Sequence, residues 1–220
     1  MDKFYVPAEG VESWRLRLAE PDKQWREKYS AFELAKSWQG VGDFPVEVRK
    51  TLETEARFEG IELLIGFPEH KVPLPGGTRP SQTDLWALAR ARDGIVSVAV
   101  EGKVEEAFGP TIDEWDWRSS RGREERLRFI CELLDVDFPP PGNLRYQLFH
   151  RTASAILEAK RFHTRYAVML VHSFSARNSW FEDFVYFLGL LGARGVLQTL
   201  IPVGKRSGVE LFLGWAKGEM

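Results

Sequence analysis

The chemistry-bearing group of this sequence is a pair of carboxylates and a lysine, Asp84, Glu101 and Lys103, in the stretch SQTDLWALARARDGIVSVAVEGKV from Ser81 to Val104. Paired carboxylates supply hard oxygen ligands to Mg²⁺ or Mn²⁺, an ion that keeps several waters and takes further ligands from a phosphate. Such an ion polarises a phosphoryl oxygen and acidifies a bound water. A lysine two residues from a ligand can orient that water or stabilise charge forming in the transition state. The reaction class is metal-assisted phosphodiester hydrolysis. A competing reading has Asp84 and Lys103 as a cross-strand salt bridge that steadies a hairpin and does no chemistry.

Two alternating apolar runs around Asp93-Gly94 predict the hairpin that must position these residues. A two-residue turn at Asp93-Gly94 makes Arg92 face Ile95, Asp84 face Lys103 and Trp86 face Glu101. Alternation then sets Asp84, Trp86, Glu101 and Lys103 on one face. Leu85, Ala87, Ala89 and Ala91 meet Val96, Val98, Val100 and Gly102 on the other, which reads as core. In that register Asp84 and Glu101 are diagonal neighbours, about 7–8 Å apart between backbones, a gap that side chains close around a cation.

The elements around the hairpin follow from periodicity. Phe32, Leu34, Ala35 and Trp38 mark a helical stripe, with Ser30 and Glu33 as a capping box and Gly40 and Gly42 as its end. Pro45 opens a second helix that runs to about Phe58. IELLIGFPEHKVPLPGG reads as a strand followed by an irregular strand or turn. SSRGREERLRFICELLDV and NLRYQLFHRTASAILEAKRF are helices separated by PPPG. YAVMLVHSF is a strand buried on both faces, WFEDFVYFLGLLGA an apolar helix, and GVELFLGWAKG a final strand. The fold class is α/β, a mixed sheet flanked by helices, with a helical N-terminal extension over residues 1–44 and one compact core over residues 45–220.

Asp84 on a second strand, with Glu101-Gly102-Lys103 on a third after a helix and a strand, resembles the PD-(D/E)xK nuclease superfamily and its restriction-endonuclease-like fold. The resemblance covers about Pro45 to Phe174. It implies a Mg²⁺- or Mn²⁺-dependent hydrolase of nucleic acid, DNA ahead of RNA, with Asp84 and Glu101 as ligands and Lys103 as the catalytic lysine. Many members add a glutamate from the helix before the first strand, for which Glu55 and Glu59 are the candidates. Some carry a glutamine on a later helix, a part open to Gln147. The superfamily also contains members without activity that serve as binding modules, so the alternative is a nuclease-fold interaction protein.

Arg79 and Gln82 are further candidate substrate contacts, because LPGGTRPSQ lies just before Asp84. Its backbone N–H groups could cradle a phosphate, but it lacks the Gly-Lys-Ser/Thr ending of a P-loop and reads first as an irregular loop. Arg145, Gln147, His150 and Arg151 share a polar helix face that could border a cleft. Arg118, Arg121, Arg123 and Arg126 cluster near a helix start, where Glu124 and Glu125 balance them. His70, His150, His163 and His172 show no zinc spacing, and no Gly-x-Ser-x-Gly elbow is present.

With 44% hydrophobic residues, 28% charged and a net charge of −2, the chain lacks the cationic excess of a protein that grips nucleic acid over a broad surface. Any such contact must be local. No apolar run approaches the ~20 residues of a membrane span, and MDKFYVPAEG lacks the layout of a secretion leader. The lone Cys131 rules out an internal disulfide and fits a reducing cytoplasm. The apolar WFEDFVYFLGLLGA suits a contact with a second subunit as well as with its own sheet.

Overall fold

The computed structural model describes residues 10–220; the opening stretch before them lies outside the description. Six strands form one sheet in the order β1-β2-β3-β4-β6-β5. They are β1 (Glu62–Val72), β2 (Ser81–Ala91), β3 (Gly94–Lys103), β4 (Tyr166–Ser173), β5 (Leu200–Arg206) and β6 (Val209–Lys217). Strands β1, β2 and β3 form an antiparallel meander, β3, β4 and β6 run parallel, and β5 returns antiparallel on the edge. Every residue of β4 is buried, as its unbroken apolar run predicts for a strand covered on both sides.

One face of the sheet carries α3 (Ser30–Trp38) and α4 (Val46–Leu52), preceded by the short α1 (Glu12–Arg15) and α2 (Pro21–Gln24). Trp14, Leu34, Trp38, Phe44 and Leu52 join Leu85, Val98, Tyr166 and Phe212 in one cluster there, so residues before Pro45 share the core of the sheet. The other face carries α5 (Arg121–Leu134), α6 (Tyr146–Arg161) and α7 (Phe181–Leu190), with Leu127, Phe149, Ile156, Phe184 and Phe187 against Met169, Leu213 and Trp215. Phe184, Phe187 and Leu188 turn the apolar side of α7 to its own sheet, and Tyr186 remains exposed. Among the described residues no helix is long and apolar enough to cross a membrane.

Three expectations change. The hairpin turn is Arg92-Asp93, with Ala91 paired to Gly94 and Trp86 to Ala99. Gly94 takes φ +148°, a conformation open to glycine, as the first residue of β3 rather than inside the turn. The shift moves each partner by two positions, so the faces are kept while Asp84 moves away from Lys103 and towards Glu101. Ser30 lies inside α3, and Glu33 accepts from the Lys28 N–H instead of closing a capping box. Strand β5 was not expected: Pro202 and a register shift before Gly204 break its alternation, which an edge strand tolerates.

Candidate functional site

Glu101 and Lys103 come from the last residues of β3, and Asp84 from the neighbouring end of β2. The observed register, continued past Leu85–Val100, sets Asp84 beside Glu101, and the Gly102 N–H donates to Asp84 Oδ2 at 2.9 Å. On the other side of β2, Glu69 falls between the Pro68–Leu85 and His70–Thr83 pairs and holds φ +54°. A left-handed conformation at a non-glycine strand residue costs about 1–3 kcal/mol and recurs at functional sites. Three adjacent strands thus each bring one carboxyl to the same end of the sheet.

Helix α6 closes the group from above. Gln147 Nε2 donates to Glu101 Oε1 at 2.6 Å, and Lys103 Nζ donates to the same oxygen at 2.7 Å. Arg151 Nε donates to Glu101 Oε2, while its Nη2 stands 3.7 Å from Asp84 Oδ1. Gln82 Nε2 donates to Glu69 Oε2 at 2.6 Å. Glu101 and Lys103 are only 2% and 3% exposed, so this ionic group is inside the protein and not a solvent-facing ladder. The expected Asp84–Lys103 bridge is replaced by the Lys103–Glu101 pair within β3, a direct result of the register.

Glu69, Asp84, Glu101, Lys103, Gln147 and Arg151, but not Gln82, floor a cleft of about 480 Å³ whose walls include Lys23 and Tyr29 from the N-terminal segment, Phe108 after β3, and Tyr146 and His150 on α6. Burial raises the Asp84 carboxyl to about 7, helped by repulsion from Glu101 and opposed by Arg151 and Lys103. Burial likewise raises Glu69 to about 8, with Asp84 adding repulsion. Glu101, which burial alone would raise, is held below the usual carboxylate range by Arg151 and Lys103. His150 is kept neutral, first by burial and then by the Arg151 charge.

Carboxyl oxygens such as these are the ligands a hard divalent cation would take. Three carboxyls share two cationic side chains, and two of the three ionise reluctantly, so an added positive charge relieves repulsion already present. Asp84 and Glu101 would hold it. Among the described residues no three His, Cys, Asp or Glu side chains are grouped to hold an ion on their own, so the other ligands would be water and substrate, as Mg²⁺ usually takes them.

The other sequence candidates fall elsewhere. Glu55 caps a single 3₁₀ turn and pairs with Arg57, and Glu59 is exposed near Arg92 of the hairpin turn. Both therefore lie at the opposite end of the sheet, because α4 stops at Leu52 and the chain enters β1 there. The acid beside Asp84 is Glu69, which the sequence reading missed: a lone Glu between Pro68 and His70 carries no signal until the strands are paired. Arg79 is exposed in the connection before β2 and is not part of the cleft wall. The glycines of LPGGTRPSQ serve packing: a Cβ on Gly76 would stand 2.0 Å from the Gly122 carbonyl oxygen at the start of α5. Arg126 ties the same loop down through the Pro75 carbonyl, and Arg123 donates to the Trp115 carbonyl. Burial pushes the Cys131 thiol up to about 12, which leaves it unreactive.

Residues 7–220 match a family described as a domain of unknown function, DUF6946, and the chain belongs to that family. No curated protein and no solved structure matches it.

Proposed function

We propose that this DUF6946 protein is a PD-(D/E)xK-type hydrolase of nucleic-acid phosphodiesters, dependent on Mg²⁺ or Mn²⁺, with DNA ahead of RNA as substrate. One observation carries the reading: Asp84 from β2, Glu101 and Lys103 from β3, and Gln147 from the later helix α6, far apart in sequence, meet in one cleft. The helix-strand-strand-strand-helix-strand order of α4, β1, β2, β3, α6 and β4 further supports a restriction-endonuclease-like core, with α5 inserted.

In this reading Asp84 and Glu101 would hold the cation, and the chemistry it would supply is polarisation of the phosphoryl oxygen and a more acidic water. Lys103, fixed by Glu101 and covered by the Phe108 ring at 5.0 Å, keeps an ammonium group at the cleft floor where negative charge develops. Gln147 orients Glu101, and Gln82 orients Glu69.

The test incubates the protein with plasmid, single-stranded DNA and RNA in Mg²⁺ or Mn²⁺, beside Asp84→Asn and Lys103→Met variants shown to be folded. Cleavage should require the metal and fall by about 100-fold or more in each variant. Absence of metal-dependent cleavage by the wild type, or cleavage that survives in Asp84→Asn, would sink the reading. A second reading, a nuclease-fold binding protein without activity, draws on the guanidinium of Arg151 between Glu101 and Asp84. It predicts nucleic-acid or protein binding that is indifferent to divalent ions.

A further inference from the structure

We propose that Arg151 is the resident counter-cation of the carboxylate cleft. It passes to the substrate phosphodiester when a divalent ion engages Asp84 and Glu101, so that metal and phosphate bind with positive coupling. This rests on the hydrolase reading and adds the order in which its cleft is filled.

Arg151 is 7% exposed, yet it lines the cleft. Its Nε donates to Glu101 Oε2, its Nη2 stands 3.7 Å from Asp84 Oδ1, and its Nη1 donates to Ser81 Oγ at 3.4 Å. The guanidinium therefore spans the two carboxylates that an ion would have to share. It cannot give up its proton to make room, because guanidinium stays charged throughout the range in which proteins are folded. An ion and a guanidinium on the same oxygens repel each other, the more so away from water. One of them must move.

Phosphate supplies the reason to move. The guanidinium fork matches two phosphate oxygens as well as it matches a carboxylate. A phosphodiester in the cleft also offers oxygen ligands that the described residues do not provide in sufficient number. Glu101 is not stranded by the exchange, since Gln147 and Lys103 still donate to Oε1. Each ligand thus removes an obstacle to the other, and the coupling must be reciprocal.

The experiment titrates Mn²⁺ into wild-type protein by calorimetry, without and with saturating dimethyl phosphate, and repeats both titrations on Arg151→Met and Arg151→Gln. Folding of each protein is checked by circular dichroism. In the wild type, dimethyl phosphate should tighten Mn²⁺ binding about fivefold or more, and Mn²⁺ should tighten dimethyl phosphate by the same factor. This comparison needs no variant to fold. In either folded variant Mn²⁺ alone should bind about tenfold tighter than in the wild type, and the coupling should shrink to the part that direct ligation of the ion by phosphate supplies. Wild-type affinity unaffected by dimethyl phosphate, or Mn²⁺ binding in a folded variant equal to that of the wild type, overturns the role of Arg151 while leaving the metal site standing. Failure of Mn²⁺ to bind any of the proteins, with or without phosphate, overturns both the proposal and the hydrolase reading beneath it.

Discussion

At the scale of single residues, Glu101 and Asp84 are chemically the same group in adjacent positions, and their surroundings drive them apart. Glu101 receives Lys103, Gln147 and Arg151 and stays ionised, while Asp84, with a backbone N–H and a more distant guanidinium, is raised to about 7. Glu69 goes further, to about 8. A carboxyl whose folded pKa exceeds its unfolded value binds more protons in the native state, so its contribution is fully present below the unfolded pKa and is lost as pH rises through the folded one. Burial lowers the pKa of His150 and His172, which act with the opposite sign up to about pH 7, so thermal unfolding followed between about pH 7 and pH 9 should show stability declining with pH, and Asp84→Asn with Glu69→Gln should flatten the decline. Glu101, lowered in the folded state, acts with the opposite sign and only at more acidic pH. A wild-type profile that rises over the same window would mean that the carboxyls of Asp84 and Glu69 are not confined as described.

At the scale of elements, the hairpin shows what the sequence makes legible. Alternation alone assigned Asp84, Glu101 and Lys103 to one face and Leu85, Val98 and Val100 to the core, because parity survives a two-residue slip. The slip itself was invisible: Asp93-Gly94 reads as a turn, and only strand pairing reveals that Gly94 begins β3. Arg151 was visible as one of several polar residues on a helix, without a sign that its guanidinium crosses to β2 and β3. Edge strand β5 and the acid on β1 were hidden by prolines that break the alternation. The PGG loop was ambiguous for another reason, since glycines that approach a phosphate and glycines that approach a helix look alike in sequence. Its packing role is testable. Gly76→Ala places a Cβ 2.0 Å from the Gly122 carbonyl oxygen and 2.9 Å from the Arg126 nitrogen, at φ +76°. Backbone clash and strain together should lower stability by about 2–4 kcal/mol. Gly42→Ala, at φ +72° with nothing within 4 Å of the new carbon, should cost only about 1 kcal/mol. Urea midpoints that do not separate the two variants would contradict the docking of the loop on α5.

At the scale of the whole molecule, the cleft is a joint product of both layers. Lys23 and Tyr29 come from the segment before Pro45, Glu101 and Lys103 from the sheet, and Gln147 and Arg151 from the opposite helical layer. Under the proposed function the cations that would meet phosphate in the cleft are Lys23 on the wall and Lys103 and Arg151 on the floor, set among the carboxyls of Glu69, Asp84, Glu101 and Glu106, so the contact would be local, as a net charge of −2 requires. Each neutralised phosphate of a duplex contributes about −0.9 to the slope of log affinity against log salt. Two or three contacts predict a slope of roughly −2 to −3, a loss of about ten- to fortyfold between about 50 and 200 mM salt, far shallower than for a broadly basic binder. Fluorescence anisotropy of a labelled duplex, with Ca²⁺ in place of Mg²⁺ to hold back cleavage, measures it directly. A slope several units steeper would place the principal contact outside the cleft. The arginine-rich entrance to α5, where Arg118 and Arg121 precede the balanced Glu124–Arg128 pair, would then be the surface to remove first. A shallow slope that Lys23→Ala reduces by about one unit would tie nucleic-acid binding to the carboxylate cleft itself.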